Sequence, residues 1–392
     1  MTVIAGGART PIGRLSGGLA TLSGAELGGH AITAALERSG VAASDVDYVF
    51  MGQVLQAGAG QITARQAANH AGIPLGVPAT TINKVCLSGM NAIYLAWRMI
   101  MAGDADIVVA GGMESMTNAP HLLTNARAGW KLGDQTAVDS QNYDGLYCAL
   151  EHELKGTATD RYLASTNFDR AMQDEIALAS HARAAAAQKN GILAEEIASV
   201  SVPQRRGDPI EIADDEGIRP ATTMESLGKL RPAFTESGNI TAGNASQISD
   251  GASATVIMSA DRAKSLGIEP FAELISYGQV AGPDCSLLTQ PSRAIEAALS
   301  KTDEVTKSDL SLFEINEAFA AVAAASIADL DISFDDVNVN GGAVALGHPI
   351  GASGNRLVLT LAHELRRRGG GVGAAALCGG GGQGDALIVR VP

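Results

Sequence analysis

The sequence is poor in aromatic residues, in cysteine and in clustered basic charge. Aromatic residues make up 4% of its 392 residues, and no stretch of five or more basic residues occurs. The formal charge is 28 minus 42, or −14 at pH 7. A general nucleic-acid binder is therefore disfavoured, because such proteins present basic surfaces to phosphate. The four cysteines include no CxxC pair, which predicts reduced thiols in a cytosolic setting.

Long apolar runs and targeting signals are also missing. The longest uninterrupted apolar run is 318–325, far shorter than the roughly 20 residues that cross a bilayer. The opening MTVIAGGARTPIG has no basic region followed by an apolar stretch, so no signal peptide is expected. The ending VRVP carries no peroxisomal address. We therefore expect a cytoplasmic protein with no membrane partner.

What the sequence does have is a hydrophobic content of 46% and 46 glycines, in a chain long enough for two or three domains. Strand-like segments such as 48–51 and 106–110 alternate with helical ones such as 88–101, where apolar residues recur every three or four positions. This alternation predicts a layered α/β fold.

Two regions of the sequence follow the same plan. Each runs from an Asn-led loop through Ser-Gly, a helix and a short apolar strand to a double glycine. Ser88-Gly89 and Ser353-Gly354 would be equivalent helix entries in an internal duplication, and chemistry would lie where the two halves meet. Between them, from Pro120 to about residue 245, charged helices and Pro-rich turns predict an inserted domain.

Cys86 is a candidate nucleophile. It lies after the strand-like segment 79–82 and just before the helix that begins at Ser88. The dipole and free N–H groups of a helix N-terminus stabilise a thiolate. A buried, inert cysteine is the alternative, and the position alone leaves the two interpretations about even.

Three further residues occupy strand ends or loops. His348 precedes Pro349, which disfavours a helical conformation for the histidine and places it on a loop. Cys378 precedes four glycines whose amides can approach a ligand. Asn316 follows a strand-like segment and could hold a carbonyl or a water. Each also has a structural interpretation: a loop histidine, a small core residue before a turn, and a helix cap.

The motifs that carry these residues resemble those of the thiolase family. They are NxxCxSG at Asn83, NEAFA at Asn316, NVNGGAxALGHPxGASG at Asn338 and CGGGxG at Cys378, preceded by ARTPIG at Ala8. The resemblance covers essentially the whole chain. It implies a five-layered αβαβα fold with two duplicated halves, 1–118 (completed by about 247–268) and 269–392, and an inserted loop domain, 119–246, that binds coenzyme A.

The resemblance also implies a role for each candidate residue. Cys86 would be the acylated nucleophile, His348 its activator, and Cys378 the acid and base that handles the α-proton. Asn316, through a water, would partner His348 in one oxyanion hole. The amides of Cys86 and Gly380 would form the other.

Coenzyme A is polyanionic, so an acidic protein needs a local basic patch to bind it. Arg219, Lys229 and Arg231 lie within 13 residues of one another in the insert, although solvated surface explains the last two equally well. By resemblance, Arg219 would contact the adenine and Ser246 the pantetheine. The resemblance also implies coenzyme A contacts at Ser226, Ala242, Ala318 and Phe319.

The implied reaction is the reversible condensation of two acetyl-CoA molecules to acetoacetyl-CoA, or thiolytic cleavage of 3-oxoacyl-CoA. Alternatives are a longer-chain thiolase of β-oxidation, a ketoacyl synthase, a non-catalytic acyl-CoA carrier, and a zinc site of Cys86, His348 and Cys378. We expect no metal, no permanently bound cofactor, and a homotetramer with a dimer as fallback. The pair Leu154-Lys155 stands where many short-chain members carry His-Met, which leaves the acyl preference open.

Overall fold

The computed structural model describes all 392 residues, in sixteen strands and eleven helices. The strands are β1 Thr2–Arg9, β2 Gly13–Arg14, β3 Tyr48–Gly52, β4 Ala79–Ile82, β5 Ile107–Ser115, β6 His121–Leu122, β7 Val138–Asp139, β8 Tyr147–Cys148, β9 Glu153–Leu154, β10 Val200–Val202, β11 Ile210–Ile212, β12 Ser249–Ser259, β13 Ala272–Ala281, β14 Leu310–Ile315, β15 Gly371–Gly379 and β16 Gln383–Val391. The helices are α1 Gly24–Ser39, α2 Thr63–His70, α3 Ser88–Ala102, α4 Lys155–Leu163, α5 Arg170–Lys189, α6 Met224–Gly228, α7 Ala260–Leu266, α8 Gln290–Leu299, α9 Ala320–Leu330, α10 Ala343–Leu346 and α11 Ser353–Arg367.

The main sheet consists of two half-sheets with the same strand order and directions. In the first, β3 is parallel to β5, and β5, β12 and β1 are successively antiparallel. In the second, β14 is parallel to β15, and β15, β16 and β13 are successively antiparallel. The half-sheets join where β1 pairs with β13 through Val3 and Ile4. The internal duplication predicted from the two similar sequence regions is therefore present in the backbone.

Helices cover both faces of each half-sheet. Helices α1 and α2 pack on the outer face of the first half and α8 and α9 on the second, while α3 and α11 pack against each other between the halves. The resulting order is helix, sheet, helix, sheet, helix, which confirms the predicted five-layered αβαβα fold.

The central helices approach each other closely at their first turns, because each carries a glycine there. A Cβ atom added to Gly89 would clash with the backbone of Gly351 and Asn355, and one added to Gly354 would clash with Met90. The stretch Val85–Ala102 is long and apolar enough to cross a membrane by length and composition alone, but half of it is buried inside the protein. The close contact brings the N-termini of α3 and α11 to one place.

The segment between β5 and β12 leaves the sheet and forms three short hairpins and helices α4 to α6. Its longest helix, α5, packs on α9 and α10 of the second half. A buried ion cluster fixes its later part, since Arg9 of β1 contacts Glu196 and Asp215 at 2.6 to 2.8 Å. The segment therefore contacts both halves of the chain, next to the place where they join.

Candidate active site

Cys86 is held by a tight turn between β4 and α3. Val85 adopts a left-handed conformation, with φ of 51°, which is strained for a β-branched residue. The Ser88 hydroxyl stabilises this turn by donating to the carbonyl of Val85 at 2.6 Å and accepting from the amide of Lys84 at 2.8 Å. The turn places Cys86 at the N-terminus of α3, where it is buried but lines a cavity.

The hydrogen bonds of His348 define its tautomer. The Ser353 hydroxyl donates to the carbonyl of Pro349 at 3.0 Å, so its oxygen is left to accept from Nδ1 of His348 at 2.6 Å. The proton is then on Nδ1 and the lone pair on Nε2. Nε2 lies 3.4 Å from the amide nitrogen of Asn316, which can donate to it.

Burial keeps this imidazole uncharged. It lowers the pKa of His348 to about 3, and the positive charges of Arg356 and Lys155 act in the same direction. Near neutral pH, His348 is therefore a neutral imidazole whose Nε2 can accept a proton.

Cys378 ends β15 and is 1% exposed. Burial raises the pKa of its thiol, the neighbouring Cys86 raises it further, and the charge of Lys155 opposes both effects. Cys378 is therefore protonated near neutral pH. It faces the same cavity as Cys86 and His348, together with Gly380 of the glycine loop.

The cavity at the junction has a volume of about 260 Å³ and a mostly apolar lining. The structure brings seven of the residues implied by the resemblance to its wall: Cys86, Ser246, Ala318, Phe319, His348, Cys378 and Gly380. Asn316 lies behind His348, fully buried. An apolar wall strengthens electrostatic interactions inside the cavity.

Three of the residues implied as coenzyme A contacts lie outside this cavity. The Arg219 guanidinium is 3.4 Å from the side-chain oxygen of Gln247, which does line the cavity. The Ser226 hydroxyl caps the start of α6, and Ala242 does not line the cavity. In the basic patch, Lys229 pairs with Glu225 at the surface.

Buried carboxylates that sequence reasoning missed hold the loops around the cavity. Glu114 of β5 accepts hydrogen bonds from the amides of Val54, Leu55 and Gly351 at 3.0 to 3.1 Å. Glu317 accepts from Asn338 and from the amide of Val344. Burial raises the pKa of both carboxyls, that of Glu114 to about 7. Only the NEAFA motif around Glu317 carried a sequence signal.

The two other cysteines also meet in the structure. Cys148 of β8, Glu151 and Cys285 place one ligand atom each within 4.8 Å of one another, whereas Cys86, His348 and Cys378 do not form such a group. Burial and the neighbouring Cys148 thiol raise the pKa of Cys285 to about 11. These residues have no sequence motif, so only the fold brings them together.

A duplicated α/β fold with two thiols and a neutral imidazole around one apolar cavity suits an enzyme that transfers acyl groups. Two family models cover nearly the whole chain: Thiolase, N-terminal domain, over 2–261 and Thiolase, C-terminal domain, over 268–391. The chain belongs to the thiolase family and is an acyltransferase.

Named relatives agree with this assignment. A probable acetyl-CoA acetyltransferase of Mycolicibacterium smegmatis is 55% identical over 388 residues, or 99% of this chain and 100% of the relative. An acetyl-CoA acetyltransferase of Cupriavidus necator is 49% identical over 389 residues, or 99% of this chain and 98% of the relative. The crystal structure of the Bacillus anthracis acetyl-CoA acetyltransferase matches with a TM-score of 0.97 at 38% identity, over 100% of this chain and 98% of that one.

Proposed function

We propose that this enzyme catalyses the reversible condensation of two acetyl-CoA molecules to acetoacetyl-CoA and coenzyme A, through an acetyl group carried on Cys86. The observation that supports this most is the shared cavity of Cys86, a neutral His348 and a protonated Cys378. The names of the relatives favour acetyl as the transferred group.

In the first half-reaction, Cys86 gives its proton to Nε2 of His348 and its sulfur attacks the thioester carbonyl. The amides of Cys86 and Gly380 stabilise the oxyanion. The bond to the coenzyme A sulfur then breaks, and this sulfur takes the proton of Cys378. Acetyl-Cys86, a protonated His348 and a Cys378 thiolate result.

In the second half-reaction, the Cys378 thiolate removes the α-proton of a second acetyl-CoA. Asn316, through a water, and the protonated His348 stabilise the enolate oxygen. The enolate carbon attacks the acetyl carbonyl, the bond to Cys86 breaks, and His348 returns its proton to the Cys86 sulfur. The cycle closes with both thiols protonated, and its reverse cleaves acetoacetyl-CoA.

The roles of the two cysteines are separable by intact-protein mass spectrometry after addition of acetyl-CoA. Cys378→Ala should still gain an acetyl group, with slower release of coenzyme A, but it should not condense. Loss of one positioned acid and base typically costs roughly 10²- to 10⁴-fold in rate. Cys86→Ala should neither acetylate nor condense. If Cys378→Ala fails to acetylate while Cys86→Ala acetylates, the assigned roles are reversed.

A longer-chain 3-ketoacyl-CoA thiolase is the competing assignment within the same family. Thiolysis of 3-oxoacyl-CoAs of four, six, eight and ten carbons distinguishes the two. The names of the relatives favour the four-carbon substrate. A kcat/KM that rises steadily with chain length would contradict the acetoacetyl-CoA assignment. An assay with malonyl-CoA as the donor tests the ketoacyl synthase alternative, which the second cysteine disfavours.

A further inference from the structure

Lys155 is the only residue with a full positive charge in the wall of the catalytic cavity. The residues around it are largely apolar, among them Leu146, Leu154 and Phe234. An ammonium group in such surroundings is costly unless its three N–H groups find acceptors. The contacts of Lys155 therefore indicate what it is placed to bind.

Within the protein, the Lys155 ammonium has one hydrogen-bond acceptor, the carbonyl of Gly145 at 2.8 Å. It takes part in none of the ion pairs of the structure. A Cβ at Gly380 would overlap its Nζ, so the ammonium lies directly against the glycine whose amide is proposed to bind the oxyanion. At least two of its N–H groups are free to bind an anion there.

Lys155 also separates the catalytic cavity from a second one. This second cavity has a volume of about 820 Å³, and Lys155 and Gly380 line both. An acyl group longer than acetyl that extends past Gly380 would have to pass the ammonium to reach it. Asp144 lines the second cavity as well, but it is exposed, so solvent screens its charge.

We propose that Lys155 selects among acyl groups larger than acetyl, favouring those that end in a carboxylate over alkyl chains of the same length. This inference rests on the proposed thiolase function and names a further substrate class for the same site. A carboxylate completes the hydrogen bonds of the ammonium in a charge-assisted pair. An alkyl chain instead strips water from the ammonium and offers no acceptor.

The test compares two 3-oxoacyl-CoA substrates that differ only at the end of the acyl group. Thiolysis of 3-oxoadipyl-CoA transfers a succinyl group and that of 3-oxohexanoyl-CoA a butyryl group, with acetoacetyl-CoA as the common reference. We expect the wild type to have the higher kcat/KM for 3-oxoadipyl-CoA. Lys155→Met should lower the ratio of the two kcat/KM values by about 10- to 100-fold, and Lys155→Arg should retain most of it.

Lys264→Met is the matched control, since it removes one exposed lysine of α7 far along the chain from the site, and it should leave the ratio unchanged. A wild type that prefers 3-oxohexanoyl-CoA, or an unchanged ratio in Lys155→Met, would overturn the inference. So would an equal loss on all three substrates, because Lys155 would then act in the reaction itself.

An assay of acyl transfer to Cys86 alone distinguishes a failure of this inference from a failure of the proposed function. Intact-protein mass spectrometry follows the acylation of Cys86 by succinyl-CoA and by butyryl-CoA, without condensation or thiolysis. Faster succinylation in the wild type, with the preference lost in Lys155→Met, would support the inference even if acetoacetyl-CoA is not turned over. Failure on acetoacetyl-CoA alone would contradict only the proposed function.

Discussion

The tautomer of His348 depends on one serine hydroxyl. Because the Ser353 proton is committed to the carbonyl of Pro349, Nδ1 of His348 must carry the hydrogen of their 2.6 Å contact. The lone pair on Nε2 faces the amide nitrogen of Asn316 at 3.4 Å, while burial keeps the ring neutral. A neutral ring with a free lone pair on Nε2 is what the proposed role of His348, as the proton acceptor for Cys86, requires.

Iodoacetamide should alkylate Cys86 faster than the other cysteines near neutral pH. Cys86 is 8% exposed in the wall of the catalytic cavity, at the N-terminus of α3. Raised pKa values keep Cys285 and Cys378 protonated and slow to react, and Cys148 is buried. Peptide mapping after partial inactivation measures the labelling of each thiol. Prior incubation with acetyl-CoA should protect Cys86, and inactivation that tracks with another cysteine would contradict its role as nucleophile.

At the scale of elements, strand β5 and the loop before α11 touch backbone to backbone. A Cβ at Gly112 would overlap the carbonyl of Gly351, whose amide donates to Glu114. The same loop carries His348. The position of the histidine therefore depends on the absence of a side chain in a strand of the other half.

Gly112→Ala should accordingly lower both stability and activity. We expect a loss of roughly 1 to 3 kcal/mol in the free energy of unfolding, the usual cost of overpacking, together with a lower kcat because the loop of His348 is displaced. Urea denaturation and acetoacetyl-CoA thiolysis measure the two effects. Gly76→Ala is the control, since a Cβ there meets open space. Equal stability of the two variants would rule out the close packing.

Helix α5 carries a histidine that must remain neutral to make its contact. Nδ1 of His181 accepts a hydrogen bond from the amide of Arg219 at 3.1 Å. Burial lowers the pKa of His181 to about 4, with the charge of Arg219 acting the same way. The unfolded chain, with an ordinary histidine pKa of about 6.5, binds the proton more readily. The stability supplied by this neutral histidine is therefore lost as pH falls from about 6.5 towards 4.

His181→Asn retains an acceptor but does not titrate, which allows this effect to be measured. The wild type should be more stable than the variant at pH 7.5, and the difference between their Tm values should shrink by pH 5. His30→Asn, at an exposed histidine of α1, should show no such change. A gap between the wild type and His181→Asn that widens on acidification would disprove the assignment.

For the whole molecule, the cluster of Arg9, Glu196 and Asp215 connects the first half-sheet to the inserted segment. All three side chains are buried, with exposures of 0 to 3%. Both oxygens of Asp215 accept from the Arg9 guanidinium, and Asp215 also accepts from the amide of Ile12. The negative charges raise the pKa of Arg9 further above its ordinary value despite the cost of burial.

Arg9→Ala should leave two buried carboxylates without their partner and cost about 3 to 5 kcal/mol. Lys229→Ala breaks the exposed ion pair between Glu225 of α6 and Lys229, which directly follows the helix. This variant should change the free energy of unfolding by no more than about 0.5 kcal/mol. Chemical denaturation of both variants measures the difference. Similar free energies of unfolding for the two variants would show that the buried cluster does not stabilise the inserted segment.

The whole molecule is also expected to assemble with copies of itself. We expect a homotetramer of two dimers, with a dimer as fallback, from the resemblance to the thiolase family. Light scattering at micromolar concentration measures the mass, and a monomer of 40.0 kDa would contradict both expectations.

Local sequence patterns predict the layered fold and the internal duplication, which the structure confirms, and they single out Cys86, His348, Cys378 and Asn316 as candidate reactive residues. These predictions depend on strand and helix periodicity, on the proline after His348 and on the glycines after Cys378. Met101, the last residue of the helical segment 88–101, is 60% exposed, so the apolar periodicity of that segment extends beyond its buried face.

Contacts between residues that are distant in sequence depend on the folded structure. Glu114 reaches the loop at Gly351, 237 residues away in sequence, and Cys148 meets Cys285. The Lys155 ammonium lies against Gly380 in the catalytic cavity. Such contacts depend on the register and packing of whole layers, which no local window of sequence contains. The charge states follow from the same cause, because burial, which shifts the pKa values of His348 and Cys378, exists only once the layers have closed.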